Sequence, residues 1–165
     1  MKILIPMQSQ KGLPEKIIDA YGAQTEKAEI ITIGVPCVKD DVHRFSEARS
    51  REICSLMAKT ISDPVVCMAD SDCLQLFTTN LAEAKAEIER VPELDAVALS
   101  KYEISKLDSE HVDIKCIVIR TQLLSQISWL APTDKLCLCY KVREYLDDLD
   151  YSFRYLDNRK RVSIV

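Results

Sequence analysis

At 165 residues, with 47% hydrophobic and 29% charged side chains, the chain has the composition of an ordinary globular domain with room for a buried core. A net charge of −4 without any long basic run argues against a nucleic-acid partner, and no apolar run nears the ~20 residues that an integral membrane helix needs. The seven cysteines, odd in number and without a C-x-x-C, fit a reducing, cytoplasmic compartment, and the C-x-C at Cys137 and Cys139 has no second pair and no nearby histidine to complete a zinc site.

KILIP (2–6) reads as a buried strand, its apolar stretch too short for a signal peptide. A turn at Gly12 and a helix over 14–24 follow. AEIITIGV (28–35) is a second strand, ended by Pro36. A polar loop with Asp40, Asp41 and His43 then enters a helix whose apolar positions Ile53, Leu56, Met57 and Ile61 keep helical spacing. Pro64 stops that helix, and VVCMA (65–69) is the third strand. TTNLAEAKAEIERVP (78–92) predicts a helix with Leu81, Ala84, Ile88 and Val91 on one face and Thr78 or Thr79 as cap. DAVALS (95–100) and DIKCIVIR (113–120) are strands around a charged loop, and TQLLSQI (121–127) is a short helix. PTDKLCLCYKVREYL (132–146) is a longer helix with Thr133 placed to cap it. YSFRYL (151–156) and RVSIV (161–165) close the chain as strands.

Strands apolar on both faces, alternating with helices, predict an α/β layered sheet in a single domain over 1–165. With three glycines and neither a G-x-G-x-x-G nor a P-loop, dinucleotide and Walker-type sites are excluded.

The stretch PVVCMADSDCLQLF carries the chemistry. Asp70 and Asp72 are two residues apart, so in an extended chain they project together while Ser71 faces the other way. They stand where the third strand ends, which is where open α/β sheets bind ligands. Two adjacent carboxylates suit Mg²⁺ or Mn²⁺, cations that take the rest of their shell from water and substrate phosphates. From spacing alone, an acidic turn in which Asp72 caps the next helix reads equally well.

The run EARSREICSLMAKTISDPVVCMADSDCLQL resembles the core of a GT-A-type glycosyltransferase of the family 2 kind, in which an arginine-containing turn, a helix and an apolar strand lead to D-x-D. KILIPMQSQ resembles that family's opening strand and nucleotide-contacting loop. IKCIVIRTQLLSQISWLAPTDKLCLCYKVREY and YSFRYLDNRKRVSIV resemble its later and closing segments. The resemblance implies a GT-A-like three-layer α/β/α sandwich with a mostly parallel, mixed central sheet. It implies a nucleotide-diphosphate sugar as donor, an acceptor of unknown identity, Mn²⁺ or Mg²⁺ as cofactor and room for a homo-oligomer. It places Asp70 and Asp72 on the metal–diphosphate unit, with Asp72 the more direct ligand. Arg49 then lies near the nucleotide, Pro6 and Gln8 in the loop contacting the base, and Asp134 at a helix start as catalytic base in an inverting reaction. A carboxylate in a first helical turn is stabilised as an anion by the helix dipole, so its basicity needs burial or a nearby diphosphate.

The chain departs from the family pattern at five points, among them its shortness, which leaves little room for an acceptor subdomain, and a closing segment with no histidine to complete a metal shell. Its second strand ends ITIGVP with no acid until Asp40, Ser50 stands where asparagine is common, and Thr133–Asp134 offers one carboxylate instead of two. Two other readings stay open: a lapsed GT-A-like module that binds a nucleotide or a partner, and a sugar-phosphate nucleotidyltransferase. Trp129 reads more readily as core than as a sugar-stacking platform. The pair Glu47–Arg51 reads as a surface i,i+4 contact, and NRKR (158–161) as a solvated loop.

Overall fold

The computed structural model describes residues 1–7, 12–34, 43–99, 114–131, 138–146, 152–157 and 159–165, with backbone only at 43–46. Among the described residues, eight strands and five helices follow in chain order: β1 Lys2–Met7, α1 Glu15–Gly22, β2 Glu29–Gly34, α2 His43–Ala58, β3 Val65–Ala69, β4 Cys73–Gln75, α3 Asn80–Arg90, β5 Ala96–Ala98, β6 Cys116–Arg120, α4 Thr121–Gln126, α5 Cys139–Glu144, β7 Phe153–Tyr155 and β8 Val162–Ile164. Six strands form one sheet in the order β2-β1-β3-β6-β5-β7. It is mixed and mostly parallel: β1 runs parallel to β2 and β3, and β5 to β7, while β6 is antiparallel to both neighbours.

Period-2 alternation divides the strand side chains between two cores. Leu4, Val66, Met68, Ala96, Ala98, Ile117 and Ile119 face a core closed by α2, α4 and α5. Ile3, Ile5, Val65, Cys67, Val97, Cys116 and Val118 face the opposite core, closed by α1 and α3. The expected three-layer sandwich is therefore present. Both faces are dry, which is why β3 reads as an unbroken apolar run with all five residues buried.

Helix α2 departs from its expected face. Ile53 and Leu56 are 37% and 51% exposed, while Met57 and Ile61 pack only at the edge of the core. The buried face is instead Ala48, Arg51, Cys54, Ser55 and Ala58. Small residues let the helix approach the sheet, and two polar side chains turn inward because partners await them there. Leu56→Ser is accordingly expected to change stability by less than about 0.5–1 kcal/mol, against roughly 2–5 for truncating a core leucine; urea denaturation measures the difference.

The segment after the acidic pair was not read as a strand, yet β4 pairs antiparallel with β8 as a separate two-stranded ribbon. The closing RVSIV strand thus lies outside the main sheet, whereas β7 joins it. The ribbon is anchored by Arg161, which is 2% exposed. Its guanidinium donates to Asn80 Oδ1 at 2.9 Å, Glu83 Oε2 at 2.6 Å and Asp157 Oδ2 at 2.6 Å. Within NRKR this arginine is a structural ion-pair centre rather than a solvated one.

That network carries a pH dependence. Hydrogen bonds from Arg161 and Arg159 hold the Asp157 carboxyl well below the usual carboxylate range. The Thr79 hydroxyl, then Arg161, lowers Glu83 in the same direction. A depressed folded-state pKa stabilises above the unfolded value, near 4, and the contribution is lost as the pH falls through the folded one. Melting temperature is expected to decline from about pH 4 downward, and Arg161→Met to flatten that limb while lowering the neutral plateau. Melts across pH 2–7 check it.

Among the described cysteines, Cys54, Cys67, Cys73, Cys116 and Cys139 are free thiols. Burial pushes the Cys54 thiol up to about 12, so it remains protonated and packs as a small apolar group.

Candidate functional site

β1 and β3 run parallel, and their carboxyl ends open beside the N-terminal half of α2. A cleft of about 240 Å³ lies there, lined by Pro6, Glu47, Ser50, Arg51, Asp70, Ser71 and Asp72. The acidic pair sits on a turn, not on extended chain. β3 ends at Ala69, the Asp70 amide donates to the Lys115 carbonyl at 2.7 Å, and the Cys73 amide closes back onto the Asp70 carbonyl at 3.1 Å. The turn brings Ser71 to the cleft as well, where alternation along a strand would have turned it away.

The cation between these acids is already in the chain. Arg51, with 1% of its side chain exposed, donates from Nη2 to Asp70 Oδ1 at 2.5 Å. Its Nε and Nη2 also reach Glu47 Oε1, at 3.2 and 3.1 Å. Below it, Nη1 touches Met68 Sδ at 3.6 Å, and the guanidinium carbon lies 5.7 Å from the centroid of the Trp129 ring. Burial pulls against the charge, but Asp70 and then Glu47 outweigh it and hold the guanidinium above its ordinary pKa. The pair read as a surface contact is in truth the floor of the cleft.

Trp129 is part of that floor. It is 2% exposed, its indole N–H donates to Ser55 Oγ at 2.8 Å, and its backbone amide donates to Glu52 Oε2 at 2.7 Å. Those bonds account for the polar residues on the inner face of α2.

Asp72 differs from Asp70. Its Oδ1 is buried and has no hydrogen-bond partner among the described residues, while its carbonyl accepts from the Val165 amide at 3.0 Å, so the ribbon fixes its backbone. An orphaned buried carboxylate oxygen is costly, of order 1–3 kcal/mol or more for a charged group, and is tolerated where a ligand completes it. In formal charge, Glu47, Asp70 and Asp72 against Arg51 leave the cleft at two negative. A divalent cation fits both the charge and the bare oxygen. Among the described residues no three His, Cys, Asp or Glu side chains form a ready-made metal cage; Mg²⁺ and Mn²⁺ sites that use one or two carboxylates plus phosphate oxygens do not require one.

Of the residues singled out from sequence, Pro6, Asp70 and Asp72 meet in the cleft. Arg49 lies on the exposed side of α2, away from the cleft-lining set; Arg51, two positions on, takes the inward place. Gln8 and Asp134 lie outside the described residues, as do His111 and Thr133. Glu47 and Arg51 were missed as site residues, although their i,i+4 spacing with Ser55 and Ala58 was the available signal that one helix face carries them all.

No family model matches the chain, and no curated protein matches it. Solved structures do. TarS from S. aureus superposes with a TM-score of 0.63 at 12% identity, over 98% of this chain and 36% of that one. Residues 1–349 of TarS have been solved in complex with UDP-GlcNAc. The fold is GT-A-like. A mannosyltransferase from Pyrobaculum calidifontis, solved with GDP-Man and Mn²⁺, gives 0.62 at 14% identity over 92% of this chain and 53% of that one. A cytidylyltransferase from Leptospira borgpetersenii gives 0.57 at 10% identity, over 97% and 75%. The chain thus spans about a third of TarS and about half of the mannosyltransferase. No helix among the described residues is long and apolar enough to cross a membrane.

Proposed function

We propose that the cleft binds a nucleotide-diphosphate sugar together with Mn²⁺ or Mg²⁺, and that the chain transfers the sugar to an acceptor hydroxyl with inversion. The observation that carries this reading is the bare, buried Oδ1 of Asp72 in a cleft of net negative charge, at the strand ends of a GT-A-like sheet. A dianionic diphosphate cannot approach three carboxylates unaided, so the donor must arrive with a cation.

Asp72 would hold that cation through Oδ1, and Asp70, kept in place by Arg51, would face the same unit. When bound, the metal supplies Lewis-acid stabilisation of the departing diphosphate. Pro6 at the end of β1, with Gln8 beyond it, would border the base, and Arg49 would approach the nucleotide from the outer side of α2. Asp134 would accept the acceptor hydroxyl's proton as that oxygen attacks the anomeric carbon. The fold, shared with glycosyltransferases, supports a transferase; metal use, inversion and the role of Asp134 rest on this proposal.

A melting-point screen with UDP, GDP, UDP-GlcNAc and GDP-Man, with and without Mn²⁺, tests it. Ligand that binds only the folded state raises the melting point, and a rise that needs both nucleotide and Mn²⁺ is expected. No rise with any pair would remove the reading. The cytidylyltransferase neighbour favours one rival: nucleotidyl transfer to a sugar phosphate, which would release pyrophosphate from a nucleoside triphosphate. Mn²⁺-dependent nucleotide binding without turnover of either kind would mark a lapsed, binding-only module.

A further inference from the structure

We infer that Arg51 makes cation capture by this cleft conditional on the nucleotide, an inference that rests on the donor-binding reading above. The Arg51 guanidinium already satisfies Asp70 Oδ1 and takes two hydrogen bonds to Glu47 Oε1, so two of the three cleft carboxylates are committed to a protein cation. That commitment is fixed: Arg51 is 1% exposed, clamped between Met68 Sδ and the face of Trp129, and its planar fork has no room to swing aside. Asp72 is the third cleft carboxylate; among the described residues no hydrogen bond reaches its side chain, and its Oδ1 is buried without a partner.

One uncommitted carboxylate is a poor site for a hard divalent cation, which is bound more weakly as the number of charged ligands falls. Phosphate supplies the charged oxygens that water cannot. Metal would therefore enter with the nucleotide diphosphate and leave with it, and the empty cleft would stay free of metal at ordinary concentrations. Removing the guanidinium has the opposite effect on the empty cleft. Asp70 and Glu47 lose their protein cation, and the formal charge of the cleft goes from two negative to three. A lost buried side chain that strengthens ligand binding is a sign that mere damage to the site does not produce.

Mn²⁺ alone is titrated into wild-type protein, Arg51→Met and Arg51→Lys, free Mn²⁺ being counted by its paramagnetic resonance signal, and the titrations are repeated with UDP and with GDP. Methionine fills the slot against Trp129 and Met68. Arg51→Gln, which keeps an amide donor, stands in if circular dichroism shows the methionine variant unfolded. Arg51→Met is expected to bind Mn²⁺ alone at least about tenfold tighter than wild type. Arg51→Lys, which keeps the charge, should stay close to wild type, and Asp72→Asn added to Arg51→Met should abolish the gain. A folded neutral variant that binds Mn²⁺ alone no tighter than wild type overturns the inference, even where wild type takes up Mn²⁺ with UDP or GDP. Tightening in Arg51→Met, reversed by Asp72→Asn, with no nucleotide bound by any variant upholds the role of Arg51 and overturns the donor reading instead.

Discussion

Asp72→Asn is expected to lose the Mn²⁺-dependent rise in melting point with nucleoside diphosphate and to cut sugar transfer by at least about a hundredfold, the upper range for disturbing a metal site's supporting shell and a floor for losing a ligand itself. The substitution keeps volume and removes the charge from a carboxylate whose buried Oδ1 has no partner among the described residues. No described residue depends on that oxygen, so the variant should fold as well as wild type, or better, since it removes one of three mutually repelling carboxylates. Function and stability then move in opposite directions. Asp70→Asn should behave differently: it strips Arg51 of its shortest hydrogen bond and leaves a buried guanidinium with Glu47 alone, so stability falls with binding. Paired melts and calorimetric titrations with Mn²⁺ and UDP or GDP separate the two. Undiminished nucleotide binding by Asp72→Asn would show that the cation is held elsewhere.

Trp129→Ala should be the most destabilising single change near the site. Emptying a fully buried indole costs about 3–5 kcal/mol, which for a chain of this size lowers the melting point by roughly 10 °C or more. The loss also strands the Ser55 hydroxyl and opens the floor beneath Arg51. Trp129→Phe refills most of the volume and leaves only Ser55 without its donor, for about 1–3 kcal/mol. A Trp129→Ala protein melting within a few degrees of wild type would show that the indole is not the support described.

The central sheet was legible because it is buried on both faces. Runs such as VVCMA and CIVIR cannot be solvated on either side, and their lengths, with Pro64 ahead of VVCMA, left no other assignment. The D-x-D position was legible for the same reason: it is where such a run stops. Helix α2 was misread because hydropathy takes Ile53 and Leu56 as core and Arg51 and Ser55 as surface. Three-dimensional partners far along the chain, Asp70 and Trp129, reverse that ranking. The same blind spot left Arg51, which reaches the acids, as a surface contact. β4 was hidden because three residues carry no periodicity, and its partner lies at the other end of the sequence.

That remote partner has a consequence for biosynthesis. The Asp72 carbonyl is tied to the Val165 amide and the Leu76 amide to the Arg161 carbonyl, so the acid that would grip a cation is laced into place by chain made long after it. A nascent polypeptide can complete β1, β3 and α2 and still present a slack acidic turn until residue 165 has left the ribosome. Ligand capture would then wait on β8, and a change in the chain beside Val165 would act on the cleft.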